Sequence, residues 1–220
     1  MMSGEKKWKG LVLGGAHRSG LLELGRIMRA SKVAILCYHR FGSTDAPNGA
    51  ISDRLFEAHL VYLKKHFTII SFEEMPGLLE GRLRVKNPLI LTVDDGYRDF
   101  IEVALPLLTR HSAPATLFVT TRFIDGESWL WPDIIAHSVM RTRKPKIELS
   151  NCEPDLPLRT ESEKVVAQDR LVDICRRMKE EEKTDFLADL TDRLGVKTPP
   201  EPTPEFRPAS WEDLRRLDKE

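Results

Sequence analysis

The sequence predicts an α/β fold on a parallel sheet, doubly wound or barrel-like, and three observations lead there. Four short apolar runs lie at 33–38, 67–71, 88–93 and 114–121. They are continuous rather than alternating, which is the pattern of strands covered on both faces. Segments of helical spacing separate them, and strands alternating with helices in succession produce a parallel sheet. At 220 residues the chain holds one sizeable domain, or one domain with a smaller appendage.

The elements follow in order. Residues 21–30, "LLELGRIMRA", place apolar positions at helical spacing, so 1–32 is read as an N-terminal helical extension. Gly14, Gly15 and Gly20 precede it, but their spacing matches neither G-x-G-x-x-G nor a phosphate-binding P-loop. "KVAILCYHRF" supplies the first strand. In "SDRLFEAHLVYLKKH" the residues Leu55, Phe56, His59, Leu60 and Leu63 form one helical stripe. "FTIIS" is the second strand, and Ser71 with Glu74 forms a capping box for a helix running to about Gly81. "PLILTV" is the third strand. Pro106 breaks or kinks the helical segment after it. "PATLFVTT" is the fourth strand.

Beyond Thr121 the character changes. Trp129 and Trp131 enter a helix as packing anchors, with sugar stacking as the alternative. Two charged amphipathic helices span 161–194. One carries the stripe Val165, Leu171, Ile174 and Met178, and the other Phe186, Leu187, Leu190 and Leu194. Gly195 caps the second. A proline-rich connector leads to "SWEDLRRLDKE", which opens on the capping pair Ser210 and Asp213.

Bulk properties narrow the function classes. Lys plus Arg and Asp plus Glu are equal at 34 each, a balance that lacks the broad basic surface of a nucleic-acid binder. Cys37, Cys152 and Cys175 form no C-x-x-C pair, and their odd number fits reduced thiols. The apolar run Leu11–Leu13 is too short for a secretory signal, and no window approaches the roughly 20 apolar residues of a membrane span. A soluble, cytoplasmic protein is the expectation.

The chemistry concentrates in "LTVDDGYRDF" at 91–100, where a buried strand ends on two adjacent carboxylates. Asp-Gly is favourable turn chemistry, so a solvated turn is one reading. The other is a divalent-metal site. Ligands collect at the carboxyl ends of parallel strands, and two ionised carboxylates there repel each other unless a cation relieves them.

The succession "ILCYHR", "LVYLKKHF", "TIISFEEM", "LILTVDDGYRDF", "APATLFVTTRFIDG" resembles the polysaccharide deacetylases of the NodB-homology group, carbohydrate esterase family four. Their T-F-D-D-G-Y/P motif is matched by Thr92–Tyr97, with Val93 in place of Phe. The resemblance covers 33–220. It implies the N-terminal part of a distorted (β/α) barrel, with a helical insertion at about 128–195. It also implies metal-dependent hydrolysis of N-acetyl or O-acetyl groups on a polysaccharide or lipid-linked glycan. Carried over, Asp94 is the general base and Asp95 the ligand of a divalent metal, zinc in the usual case. His39 and Tyr97 are candidate substrate contacts, and His39 is also a candidate to orient an active-site carboxylate. The family takes two further ligands from an H-x-x-x-H motif after the "SWEDLRRL" helix. The 220 residues contain no such pair, so the expectation is impaired activity. The alternative is a catalytically inactive carbohydrate-binding or interaction module.

Overall fold

The computed structural model describes residues 32–42, 50–148 and 155–218. The helix expected at 21–30, Gly14, Gly15, Gly20, His17 and Cys152 lie outside the described residues. The chain forms two compact units. One contains the residues up to His39, Asp53–Asp94 and Val103–Phe118; the other contains Arg40–Ser52, Asp95–Glu102 and the chain from Val119 onward.

The first unit holds the parallel sheet. Strand β1, Ala34–Tyr38, pairs along its length with β5, Pro88–Val93. On the other edge of β5, β4 (Thr68–Ile69) meets its first residues and β6 (Thr116–Leu117) its last two. Every pairing is parallel, as the alternation of elements predicts. All six residues of β5 are buried, which is why this run is apolar without interruption. β1 departs from the expectation of cover on both faces. Among the described residues it is paired on one edge only, and Ile35 is 54% exposed. Among the described residues the sheet has four strands and does not close into a barrel.

Helix α1, Asp53–His66, buries Phe56, Leu60 and Leu63 of the predicted stripe and leaves Leu55, also placed on it, exposed, with Asp53 at its start and Lys64, Lys65 and His66 in its last turn. Those charges complement the helix macrodipole. Ser71 and Glu74 do form a capping box, over the 3-10 turn Phe72–Glu74 that leads into α2, Met75–Leu79. Gly81 follows in the left-handed conformation at φ 74°. Pro106 acts as expected. The segment after β5 splits into a π-helical turn, Phe100–Ala104, and α3, Leu105–Arg110, with the proline in the first turn, where its missing N–H leaves no gap.

The second unit holds the remaining pieces. Two short ribbons, β2 (Phe41–Gly42) with β3 (Ile51–Ser52) and β7 (Lys146–Ile147) with β8 (Leu156–Pro157), accompany α4, Thr121–Ile124. A helical core is built by α5 (Trp131–Arg141), α6 (Glu161–Cys175) and α7 (Glu180–Leu194). The stripe of α6 differs from the one expected. Ala167, Leu171 and Cys175 are buried, whereas Val165 and Val166 are exposed. The i, i+4, i+8 row of a helix needs a small residue where neighbours approach closely, and Ala167 supplies it. Both tryptophans pack. Trp129 donates its indole N–H to the Pro199 carbonyl at 2.9 Å and lies edge-on to His137, while Trp131 packs against the helical core under the Lys183 ammonium, 5.2 Å from its ring. Helix α8, Trp211–Leu217, starts on the predicted Ser210–Asp213 capping box. No helix among the described residues is long and apolar enough to cross a membrane.

Leu171, with no exposed surface, sits in the core formed by α5, α6 and α7. Leu171→Ala is expected to lower stability by about 2–5 kcal/mol, read from the urea unfolding midpoint.

Candidate functional site

In the first unit, the sheet delivers Asp94. Its backbone N–H donates to the Tyr38 carbonyl at 2.9 Å, carrying the β1–β5 ladder one step past Val93. Tyr38 is opposite Val93, so the next pair in register is His39 and Asp94. The His39 Nε2 stands 3.9 Å from Asp94 Oδ2. Cys37 lies two residues before His39, and side chains two apart on extended chain share a face. Its Sγ is 3.9 Å from His39 Nδ1. Tyr38 points the other way, onto α1, with its hydroxyl 3.0 Å from His59 Nδ1 and its ring edge-on to Phe56. Burial there raises the Tyr38 pKa above that of an ordinary phenol. Donor atoms of Cys37, His39 and Asp94 all fall within 4.8 Å of one another, and no other trio of metal-ligating side chains forms among the described residues.

In the second unit, the motif continues as a turn. Asp95 and Gly96 both take left-handed backbone, at φ 76° and 87°. Asp tolerates this region better than most residues, and Gly96 has a second constraint. A Cβ at Gly96 would lie 2.9 Å from Ile124 Cδ1 and 3.0 Å from Val119 Cγ1. The turn is fixed from behind by a distant strip of chain. Ala209 N–H donates to the Gly96 carbonyl at 2.9 Å, Arg98 N–H donates to Arg207 at 3.0 Å, and Tyr97 bridges antiparallel to Pro208. The turn reading of Asp-Gly therefore describes the backbone correctly and leaves the side-chain chemistry open.

Tyr97, expected as a substrate contact, is 4% exposed. Its hydroxyl donates to Asp133 Oδ2 at 2.7 Å, and the Arg40 guanidinium lies over its ring at 4.0 Å. Arg40 Nε donates to Asp99 Oδ2 at 2.7 Å, and Nη2 donates to the Glu205 carbonyl at 2.6 Å. Arg40 Nη1 stands 3.9 Å from Asp133 Oδ1, and both Nη1 and Asp99 Oδ1 are buried without a hydrogen bond. Burial pushes Asp133 up to about 7. The Tyr97 hydroxyl and Arg40 oppose that shift, while the charges of Asp95 and Asp99 add to it. Burial, then the Asp133 charge, drives the Tyr97 phenol far above its usual range and keeps it a donor. Burial likewise raises Asp99.

Sequence reading passed over Arg40, Asp99 and Asp133. Each had a positional signal, since Arg40 directly follows the strand-end histidine, Asp99 lies in "GYRDF", and Asp133 opens a helix after Trp-Pro. Nothing in periodicity marks Arg40 and Asp99, 59 residues apart, or Tyr97 and Asp133, 36 residues apart, as partners.

Two tests follow from this geometry. Gly96→Ala must strain the left-handed backbone and displace Ile124 or Val119, so it is expected to cost roughly 1–3 kcal/mol by chemical denaturation. For Asp133, the folded pKa lies above the unfolded value, so the folded state holds the extra proton between about pH 4 and 7. Stability should fall as pH rises through that window, by at most roughly 1.4 kcal/mol per pH unit from this group. Asp133→Asn should flatten that slope in unfolding curves measured across it.

Comparison with known proteins bears on the same segment. Residues 83–151 match the family model described as polysaccharide deacetylase, a span that includes Asp94, Asp95, Tyr97, Asp99 and Asp133. No curated protein matches the chain. Among solved structures, a de-N-acetylase from Aggregatibacter actinomycetemcomitans is 19% identical, over 63% of this chain and 50% of that one, at a TM-score of 0.39. The Streptococcus pyogenes deacetylase PplD, in complex with acetate, is 29% identical, over 42% of this chain and 44% of that one, also at 0.39. IcaB from Ammonifex degensii is 24% identical, over 84% and 79%, at 0.38. The chain spans about half the length of the first two. At these TM-scores the solved structures carry no argument, and the likeness to polysaccharide deacetylases rests on the family match over residues 83–151, which contains the "TVDDGY" motif.

Proposed function

We propose that these residues belong to a metal-dependent deacetylase that removes N-acetyl, or O-acetyl, groups from a polysaccharide or lipid-linked glycan. The observation that carries the reading is Asp94. Its carboxylate stands at the carboxyl end of a fully buried central strand, inside "TVDDGY" and inside the matched segment. Parallel α/β folds gather their ligands at such ends.

In this reading Asp94 is the general base. It takes the proton from the water that attacks the acetyl carbonyl. The tetrahedral carbon then breaks its bond to the sugar nitrogen or oxygen, which receives that proton and leaves as the amine or alcohol, with acetate as the other product. His39, with Nε2 3.9 Å from the Asp94 carboxylate, would orient that carboxylate or meet substrate as the group tightens. The carboxylate is 40% exposed and so remains open to water and ligand.

A divalent metal, zinc in the usual case, enters through Asp95 by resemblance alone. A catalytic zinc needs three protein ligands and one open position. Among the described residues no trio of ligating side chains includes Asp95, and the sequence has no H-x-x-x-H pair. The residues around Asp95 do not by themselves fit the metal, so no step is routed through it. Deacetylation by these 220 residues alone is accordingly proposed to be weak.

Acetate release from N-acetylglucosamine oligomers, measured across a series of zinc or cobalt concentrations from sub-stoichiometric upward, tests the reading. Slow release that Asp94→Asn lowers by at least about 100-fold is the expected outcome. Equal release by the variant would overturn the assignment of the base. Oligomer binding with no release at any metal concentration in the series would favour the inactive binding module instead.

A further inference from the structure

We infer that Cys37, His39 and Asp94 form a binding site for a soft divalent cation, of the zinc, cadmium or cobalt type, with a thiolate in the ligand set. The site is separate from the metal that the motif implies at Asp95, and it does not depend on the deacetylase reading.

The argument starts from the strand. Cys37 belongs to β1 and His39 follows it by two residues, so the extended chain aims both to one face. The ladder to β5 fixes the third member, because Asp94 N–H is bonded to the Tyr38 carbonyl between them. Tyr38 is turned onto α1 and anchored there by Phe56 and His59, which locks the alternation. Three donors of different chemistry thus converge without any loop having to order itself.

The spacing suits a metal. Bonds of about 2.0–2.3 Å at tetrahedral angles put neighbouring donor atoms about 3.5 Å apart. Here the sulfur lies 3.9 Å from His39 Nδ1 and the carboxylate oxygen 3.9 Å from His39 Nε2, and with one donor atom taken from each residue all three fall within 4.8 Å. Rotation of exposed side chains about χ1 and χ2 closes that difference while the backbone stays in place. One imidazole nitrogen takes the ion and the other remains a donor.

The chemistry selects the class of ion. A thiolate and an imidazole favour zinc, cadmium or cobalt over magnesium or calcium, which need oxygen donors. Three protein ligands leave a fourth position for water or a small anion. Cys37 and His39 are exposed and Asp94 is partly so, which gives an ion a path in. An ion held here would engage the Asp94 carboxylate and withdraw it from the role of base. Excess soft metal would therefore oppose deacetylation rather than support it.

Cobalt titration of the full 220-residue chain tests the inference. One equivalent should raise a thiolate-to-cobalt charge-transfer band in the near ultraviolet. Cys37→Ser, an exposed position, should abolish the band with an unchanged far-ultraviolet circular dichroism spectrum. His39→Ala and Asp94→Asn should each weaken cobalt binding at least ten-fold. In the unmodified chain, zinc should slow iodoacetamide alkylation of Cys37 at least ten-fold, read by peptide mass. Absence of the band, its survival in Cys37→Ser, or alkylation indifferent to zinc would each overturn the site. A cobalt site without thiolate character would leave the deacetylase proposal standing, and a thiolate site without acetate release would leave this one standing.

Discussion

Six consecutive buried residues, Pro88 to Val93, are the constraint on which the first unit depends. A strand covered on every side has to satisfy all its backbone groups through neighbours, so β5 dictates where β1, β4 and β6 run. That obligation fixes the register opposite Tyr38, and the register in turn fixes which side chains meet at the strand ends. Asp94 marks the point where burial gives way to exposure. A carboxylate one residue earlier would have to be desolvated, and one several residues later would lose the ladder that positions it.

The second unit solves a different problem, the placement of charge in its interior. Arg40, Asp99 and Asp133 form a cluster whose formal charges do not balance, with Asp95 adding to the negative side. Placing the guanidinium over the Tyr97 ring gives it an apolar seat and a favourable electrostatic face. Asp133 relieves the excess by holding a proton more readily than a surface aspartate would. The orphaned Arg40 Nη1 and Asp99 Oδ1 are a residual cost of this arrangement. Networks of this kind contribute little net stability and resist the loss of any one member.

Legibility from sequence followed the range of the interactions. Strands β1 and β5, the helix α1 stripe apart from Leu55, the Pro106 break and the Ser71 and Ser210 capping boxes all express rules spanning a few residues, and all appear in the structure. The expected α6 stripe holds at Leu171 and Met178 and fails at Val165, because valine outranks alanine on any hydrophobicity scale whereas packing at Ala167 is decided by size. The exposure of Ile35 could not be read, since strand edges are a property of the assembled sheet. In the candidate site, the motif announced Asp94 and Asp95, and "YHR" announced His39. Cys37 had no signal of its own until register placed it beside His39. The Arg40 cluster joins segments that no local rule connects.

The strip 207–209 that backs the motif turn has a bearing on how the protein is made. Its partners at 96–98 leave the ribosome roughly 110 residues earlier, an interval on the order of 5–20 s at about 5–20 residues per second. For that interval the Gly96 carbonyl and the Arg98 amide lack the neighbours they have in the finished fold. The left-handed pair Asp95–Gly96 therefore has to wait for its support, and a turn that depends on Gly96 for its shape is least secured while the chain is still being built. The step that completes the motif waits for a strip made some 110 residues after the motif itself.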